Sequence, residues 1–204
     1  MSRTIKVLLA EDQSMVREAL AALLGLEPDI EVVAQVARGD EVLAAARSYE
    51  VDVALLDIEM PGMTGIEAAA QVHKELPAVK ILILTTFGRP GYLRSAMESG
   101  ADAFLVKDAP AAQLAAAVRK VLDGERVIDP GLAAAALAEG ANPLTDRERE
   151  VLRAAADGST NAELAKALHL SQGTVRNYLS TAIQKLAVRN RAEAVRIARE
   201  KGWL

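Results

Sequence analysis

VDVALLDIEMPGMTG, residues Val51 to Gly65, decides how the chain reads. Five of the seven residues from Val51 to Asp57 are apolar, and none is Gly or Pro. So short an apolar run suits a strand buried on both faces of a parallel sheet. Pro61-Gly62 then forces a turn. Asp57 is therefore placed at the carboxyl end of a central strand, where open α/β sheets carry their chemistry. Taken alone, the segment also admits a helix-capping or loop aspartate.

The same pattern recurs on either side. Ile5–Ala10 is apolar and ends in Glu11-Asp12, and Ser14 can cap a helix to about Leu26. Glu31–Ala37 alternates as a strand, and Asp40–Ser48 has a helical pattern. Thr64–Glu75 is helical and is broken at Pro77. Lys80–Thr86 is a fourth strand, followed by a turn and a helix to about Ser99. Asp102–Val106 is a fifth strand ending in Lys107, and Pro110 opens a helix to about Asp123. Five strand–helix repeats with right-handed crossovers give a doubly wound parallel α/β sheet.

Glu11-Asp12, Asp57, Thr85 and Lys107 thus lie at four strand ends. If they converge, three carboxylates, a hydroxyl and an ammonium share one site. Crowded carboxylates require a cation, and hard oxygen ligands suit Mg²⁺. The metal would neutralise an incoming phosphoryl group, Lys107 would hold its oxygens, and Asp57 would be the nucleophile.

Composition sets the surroundings. The 204 residues fit one large domain or two small ones, 51% of them are hydrophobic, and there is no cysteine, which excludes disulfides and thiolate metal sites. No apolar run approaches the roughly 20 residues of a membrane span, and the N-terminus meets charge too early for a signal peptide. A cytoplasmic protein is expected. Residues 1–125 carry 12 Lys and Arg against 19 Asp and Glu, whereas residues 126–204 carry 12 against 9. The acidic half and basic tail suggest two domains, the second meeting a polyanion.

The acidic pair Glu11-Asp12, Asp57 with Met60-Pro61-Gly62, Thr85 and Lys107, in this order, resemble the receiver domains of bacterial two-component response regulators. The resemblance implies a five-stranded sheet in flavodoxin-like order 2-1-3-4-5 and phosphorylation of Asp57 by a sensor histidine kinase. It further implies Mg²⁺ ligation by Asp12, Asp57 and the Glu59 backbone carbonyl, with Glu11 assisting. Thr85 would bond the phosphoryl oxygen. Phe104 occupies the place of the aromatic that turns inward on activation. Many receivers have Tyr there, so any outward bond of its hydroxyl is absent. Glu59 and Phe87 flank the phosphate, and a bulky Phe87 would exclude attacking water.

Glu125–Pro143 is rich in alanine and reads as a linker with a short helix from about Gly131 to Leu137. The expected domains are 1–124, the linker 125–142, and 143–204. From Asn142 the pattern is helical only. Thr145 with Glu148, and Thr160 with Glu163, have capping-box spacing and open helices to about Asp157 and Leu168. Ser171 caps a third, with Val175, Leu179, Ile183 and Leu186 on one stripe. A fourth spans about Arg191–Lys201. Two short helices joined by a tight turn suggest a helix-turn-helix, although a solvated face of any four-helix domain also fits the polar residues. On the third helix, Arg can read guanine and Asn adenine.

LTDREREVL (Leu144–Leu152) and the stretch Asn161–Val195 resemble the NarL/LuxR-type DNA-binding domain. Carried over by position, Arg176, Asn177 and Ser180 face bases. Thr174, Lys185 and either Gln172 or Asn161 touch phosphates. Many members have Lys-x-His where this chain has Arg176-Asn177-Tyr178, so the DNA sequence read is open. AEDQ (Ala10–Gln13), NPLTDRE, GTVRNY and the terminal EKGW resemble the DesR-type subgroup, regulators of membrane-lipid desaturation. The resemblance implies a transcription regulator that dimerises on phosphorylation, binds promoter DNA and meets RNA polymerase. The first and last receiver helices are the expected pairing elements. His73 and His169 read as helix-surface or packing residues, and Trp203 as packing the last helix. An aspartyl-phosphate enzyme is a rival, but such phosphatases carry a second Asp two residues past the nucleophile, where this chain has Glu59. A constitutive DNA binder with a vestigial receiver is the other.

Overall fold

The computed structural model describes residues 3–86, 88–139 and 142–204. Apolar runs become strands and the segments between them helices, in the order β1 (Ile5–Ala10), α1 (Ser14–Leu24), β2 (Ile30–Val36), α2 (Val42–Tyr49), β3 (Val53–Asp57) and α3 (Gly65–Glu75). Then come β4 (Lys80–Thr85), α4 (Pro90–Glu98), β5 (Ala103–Val106), α5 (Ala111–Leu122), β6 (Val127–Ile128) and α6 (Pro130–Glu139). Four further helices follow, α7 (Asp146–Ala154), α8 (Asn161–Ala167), α9 (Gln172–Lys185) and α10 (Arg191–Glu200). By its contacts the chain divides into two units: residues up to 88 with 93–134, and 89–92 with 135–204.

The sheet runs β2-β1-β3-β4-β5-β6, every pair parallel. Its order reverses between β1 and β3, and the crevice outside their carboxyl ends is where such sheets bind ligands. Alternation along the strands supplies two apolar faces. Val7, Leu9, Val53, Leu55, Leu82, Leu84 and Leu105 pack with Leu24 of α1 and with Leu114, Val118 and Val121 of α5. The opposite parity, including Leu8, Leu56, Ile81, Ile83 and Phe104, is equally buried, and α3 packs against β3 and β4. Both faces being covered explains why β3 is apolar at Val53–Leu56.

Two expectations need correction. The sheet has six strands, not five, because Val127–Ile128 pairs with Ala103–Phe104 inside the stretch read as linker. Two residues are too short to show alternation, and the strand forms only because the β5 edge is available to it. Ser14 is not the cap of α1. Gln13 stands there in extended conformation without a side-chain cap bond, and Ser14 is already the first helical residue. The Gln13 N–H donates instead to Glu11 Oε1 at 3.2 Å, so the strand end, rather than a capping hydroxyl, directs the helix start.

In the helical unit both expected capping boxes close. Thr145 N–H donates to Glu148 Oε2 at 2.7 Å and Thr160 N–H to Glu163 Oε2 at 2.7 Å, each reciprocated by the hydroxyl. Ser171 Oγ accepts the Thr174 N–H at 3.0 Å. Val175, Leu179 and Ala182 of α9 are buried against Val151, Leu152 and Leu164, with Ile183, Leu186 and Trp203 at the margin. His169 lies in the turn between α8 and α9 at φ +53° rather than on a helix. Among the described residues no helix is long and apolar enough to cross a membrane.

Candidate functional site: an acidic crevice and a helix-turn-helix face

At the reversal of strand order, β1 delivers Glu11 and Asp12 and β3 delivers Asp57. One carboxylate oxygen from each lies within 4.8 Å of the others. Asp12 is exposed, whereas Glu11 (1% accessible), Asp57 (7%) and Thr85 (4%) are buried. Lys107, just past β5, extends back to them, its Nζ 2.5 Å from Glu11 Oε2 and 3.1 Å from Asp57 Oδ1. Its backbone N–H donates to the Thr85 carbonyl at 2.7 Å, which ties the start of the β5–α5 turn to the end of β4.

The loop after Asp57 is packed without slack. Gly65 N–H returns to the Ile58 carbonyl at 2.9 Å, and a Cβ on Gly65 would lie 1.8 Å from the Asp57 carbonyl oxygen. Gly62 holds φ +80°, a conformation that favours glycine. Glu59 sits exposed on this loop. Phe104 is fully buried and pairs in register with Ile83, two residues before Thr85 on the same face of β4. Phe87 lies outside the described residues.

The electrostatics follow from one ammonium facing two buried carboxylates, Glu11 and Asp57. Burial, aided by the Glu11 charge, raises the Asp57 carboxyl to about 6 even though Lys107 opposes the shift. Burial also acts to lower the Lys107 ammonium, but the contacts with Glu11 and Asp57 outweigh it and hold its pKa above the ordinary value. The Lys107–Glu11 approach is close but poorly aligned, so both Nζ and Glu11 Oε2 are buried without a hydrogen bond of acceptable angle. An under-satisfied buried oxygen beside two further carboxylates is a donor set that fits a hard divalent cation such as Mg²⁺.

Two partners of this site had no signal in the sequence. Arg17, one turn into α1, donates to the Glu11 carbonyl at 2.5 Å, and the Gln13 N–H accompanies it. Arg17 holds the Glu11 backbone and the Gln13 peptide holds its carboxylate, neither through any motif. His73 belongs to packing, its ring lying against Gly100.

On the helical unit, α9 exposes Gln172, Arg176, Asn177 and Ser180, with Thr174 half-buried and Tyr178 packed at the core margin. Asn161 opens α8. Lys185, expected at a phosphate, is ion-paired within the unit. Its Nζ is 2.8 Å from Glu148 Oε2, the buried carboxylate that also closes the α7 capping box. Burial acts to raise Glu148, but Lys185 and the Thr145 groups outweigh it and hold the carboxyl below its ordinary range. Arg191 donates to the Ser159 carbonyl at 2.6 Å, fastening α10 to the turn before α8.

An acidic crevice at the switch point of a parallel sheet, carried in one chain with a helix-turn-helix, defines the response regulators with a DNA-binding output. Residues 7–119 match the family described as the response regulator receiver domain, and residues 142–198 match the bacterial regulatory proteins of the luxR family. The chain belongs to the two-component response regulators, with a luxR-family DNA-binding domain. It is 46% identical over 199 residues to the transcriptional regulatory protein DesR of Bacillus subtilis (strain 168), covering 98% of each chain. The uncharacterized transcriptional regulatory protein YvfU of the same strain is 47% identical over 200 residues, with 98% of this chain and all of that one covered. Among solved structures, the response regulator ChrA of a heme-sensing two-component system is 33% identical, with 98% and 99% of the two chains covered and a TM-score of 0.58.

Proposed function

We propose that the chain is switched by phosphorylation of Asp57. One Asp57 oxygen attacks the phosphorus of a phosphohistidine on a sensor kinase. The P–N bond breaks, the histidine nitrogen leaves with the electron pair, and an acyl phosphate forms. Asp12, Asp57 and the Glu59 carbonyl, with Glu11 assisting, would hold Mg²⁺, which would supply charge neutralisation for the incoming group. Lys107 and the Thr85 hydroxyl take the phosphoryl oxygens, drawing Phe104 and the end of β4 with them. The observation that carries this reading is the convergence of Glu11, Asp12, Asp57 and Lys107 on one crevice, with Asp12 at its exposed mouth.

The output is dimerisation and promoter binding by residues 143–204, with 1–124 as the receiver and 125–142 joining them. Met15 (81% accessible), Leu23 and Leu26 on and after α1, and Leu122 on α5, are exposed apolar residues that support pairing through these helices. Arg176, Asn177 and Ser180 meet bases, while Thr174 and either Gln172 or Asn161 meet phosphates. By the resemblance to DesR-type regulators, the target promoters belong to membrane-lipid or envelope genes, where the bound dimer meets RNA polymerase.

The test incubates the protein with Mg²⁺ and a small phosphodonor beside Asp57→Ala, reading mass and oligomeric state together. One added phosphoryl group with dimer formation, both absent in Asp57→Ala, is the expected result. Phosphorylation without dimerisation would move the output to pairing on DNA. No phosphorylation by the donor or by any histidine kinase would leave a constitutive DNA binder.

A further inference from the structure

The cations of the helical unit fall into two groups. Arg147, Arg149 and Arg196 are held in ion pairs on their own helices. Lys185 is held by Glu148, and Arg191 by the Ser159 carbonyl. By contrast, the exposed guanidiniums of Arg176 and Arg189 make no hydrogen bond or ion pair among the described residues. Arg176 belongs to the base-reading face. Arg189 lies beyond that face, four residues past the end of α9.

Its place in the fold gives it a role. At 1.5 Å per residue the 14 residues of α9 span about 21 Å, roughly twice the ~12 Å width of the major groove. A helix that reads bases from Arg176, Asn177 and Ser180 therefore emerges over a sugar–phosphate strand before it ends. Its carboxyl terminus carries the negative end of the helix dipole, which repels phosphate unless a cation stands there. Lys185 is the cation in that last turn, but its ion pair with Glu148 neutralises it. The chain turns at Ala187, φ +53°, and Arg189 follows. The Arg189 N–H donates to Glu193 Oε2 at 2.9 Å, and Asn190 caps α10. The backbone is thus fixed while the guanidinium is left free. Lys166 and Arg199 are also unpaired among the described residues, but Lys166 lies on α8 and Arg199 at the far end of α10, so neither follows the groove-entering helix.

We propose that Arg189 is the phosphate anchor at the carboxyl end of the recognition helix, where Glu148 neutralises Lys185. The proposal rests on the DNA-binding role of α9 and adds the residue that positions it on the backbone.

The experiment measures binding of the full-length chain to a random-sequence duplex of about three helical turns, by anisotropy over a range of salt concentrations. Random sequence is the right probe because non-specific affinity comes from phosphate contacts. Arg189→Gln should make the slope of log K against log salt shallower by about 0.9 per bound chain. Arg189→Lys should restore it. Lys185→Gln, where Trp203 fluorescence shows a folded unit, should keep the native slope. A native slope in Arg189→Gln, or an equal loss of slope in Lys185→Gln, overturns the proposal. If Lys185→Gln does not fold, the Gln and Lys variants of Arg189 decide alone. Absence of salt-dependent binding by the unaltered chain would instead remove the DNA-binding reading, and the anchor with it.

Discussion

Replacing Asp57 with Asn keeps the shape of the acidic crevice and deletes one of its charges. Burial with Glu11 raises the Asp57 carboxyl from an ordinary 3.8 to about 6, a rise of about two units. At about 1.4 kcal/mol per unit, the ionised carboxylate costs the metal-free fold up to about 3 kcal/mol at neutral pH. The folded chain holds this proton more tightly than the unfolded chain. Stability from the group is therefore complete below pH 3.8 and is lost as pH rises through about 6. Without divalent cation at pH 7.5, Asp57→Asn should be the more stable protein by up to about 3 kcal/mol, and the gap should close toward pH 4. Mg²⁺ should reverse the order, since a cation that binds only the folded state stabilises the unaltered site and not the variant. Hydrogen exchange of the β3 amides, read by mass spectrometry with EDTA and with Mg²⁺, reports the sheet unit separately from the helical one. Equal stability of the two proteins in EDTA at pH 7.5, or a gap that does not change with pH, would refute the burial argument.

Other outcomes follow from the contacts described. Glu148→Ala removes the α7 capping box and strands Lys185, and should destabilise the helical unit by roughly 2–3 kcal/mol in urea, with Trp203 fluorescence as the probe. Because the Glu148 carboxyl is held below its ordinary range, its contribution is present above that range and lost as pH falls through the lowered value; Glu148→Gln should flatten the acid limb of the same transition. Gly65→Ala forces a methyl against the Asp57 carbonyl and should cost about 1–3 kcal/mol, with phosphorylation by a small donor slowed in parallel. Arg176→Ala should relax one position of the sequences enriched from a random library, at about 1–3 kcal/mol, while leaving non-specific affinity less affected.

The strand ends were legible because each is an apolar run stopped by a polar residue, and covering the sheet on both faces leaves such runs few alternatives. Their convergence followed from topology, since parallel strands with right-handed crossovers bring Glu11, Asp57 and Lys107 to one edge. Capping boxes were legible at Thr145 and Thr160 because the bonded residues are three apart. Tertiary choices were not. Lys185 finds Glu148 across 37 positions, with no periodicity to announce it. Arg17 grips a backbone carbonyl, a group every residue carries. β6 exists because an edge was vacant, and Ser14 has the chemistry of a cap but not its place, since the peptide of Gln13 is committed to the Glu11 carboxylate.

The bond from Arg191 to the Ser159 carbonyl has a consequence for operators. It locks the start of α10 to the turn that precedes α8, so the last helix cannot swivel relative to the helix-turn-helix. If two chains meet through α10 on DNA, the distance and angle between their recognition helices become a property of a stiff frame. Half-sites about 10–10.5 base pairs apart, centre to centre, would suit that frame. One inserted base pair would then have to be accommodated by the DNA, through altered twist, because the protein has no hinge there to absorb it.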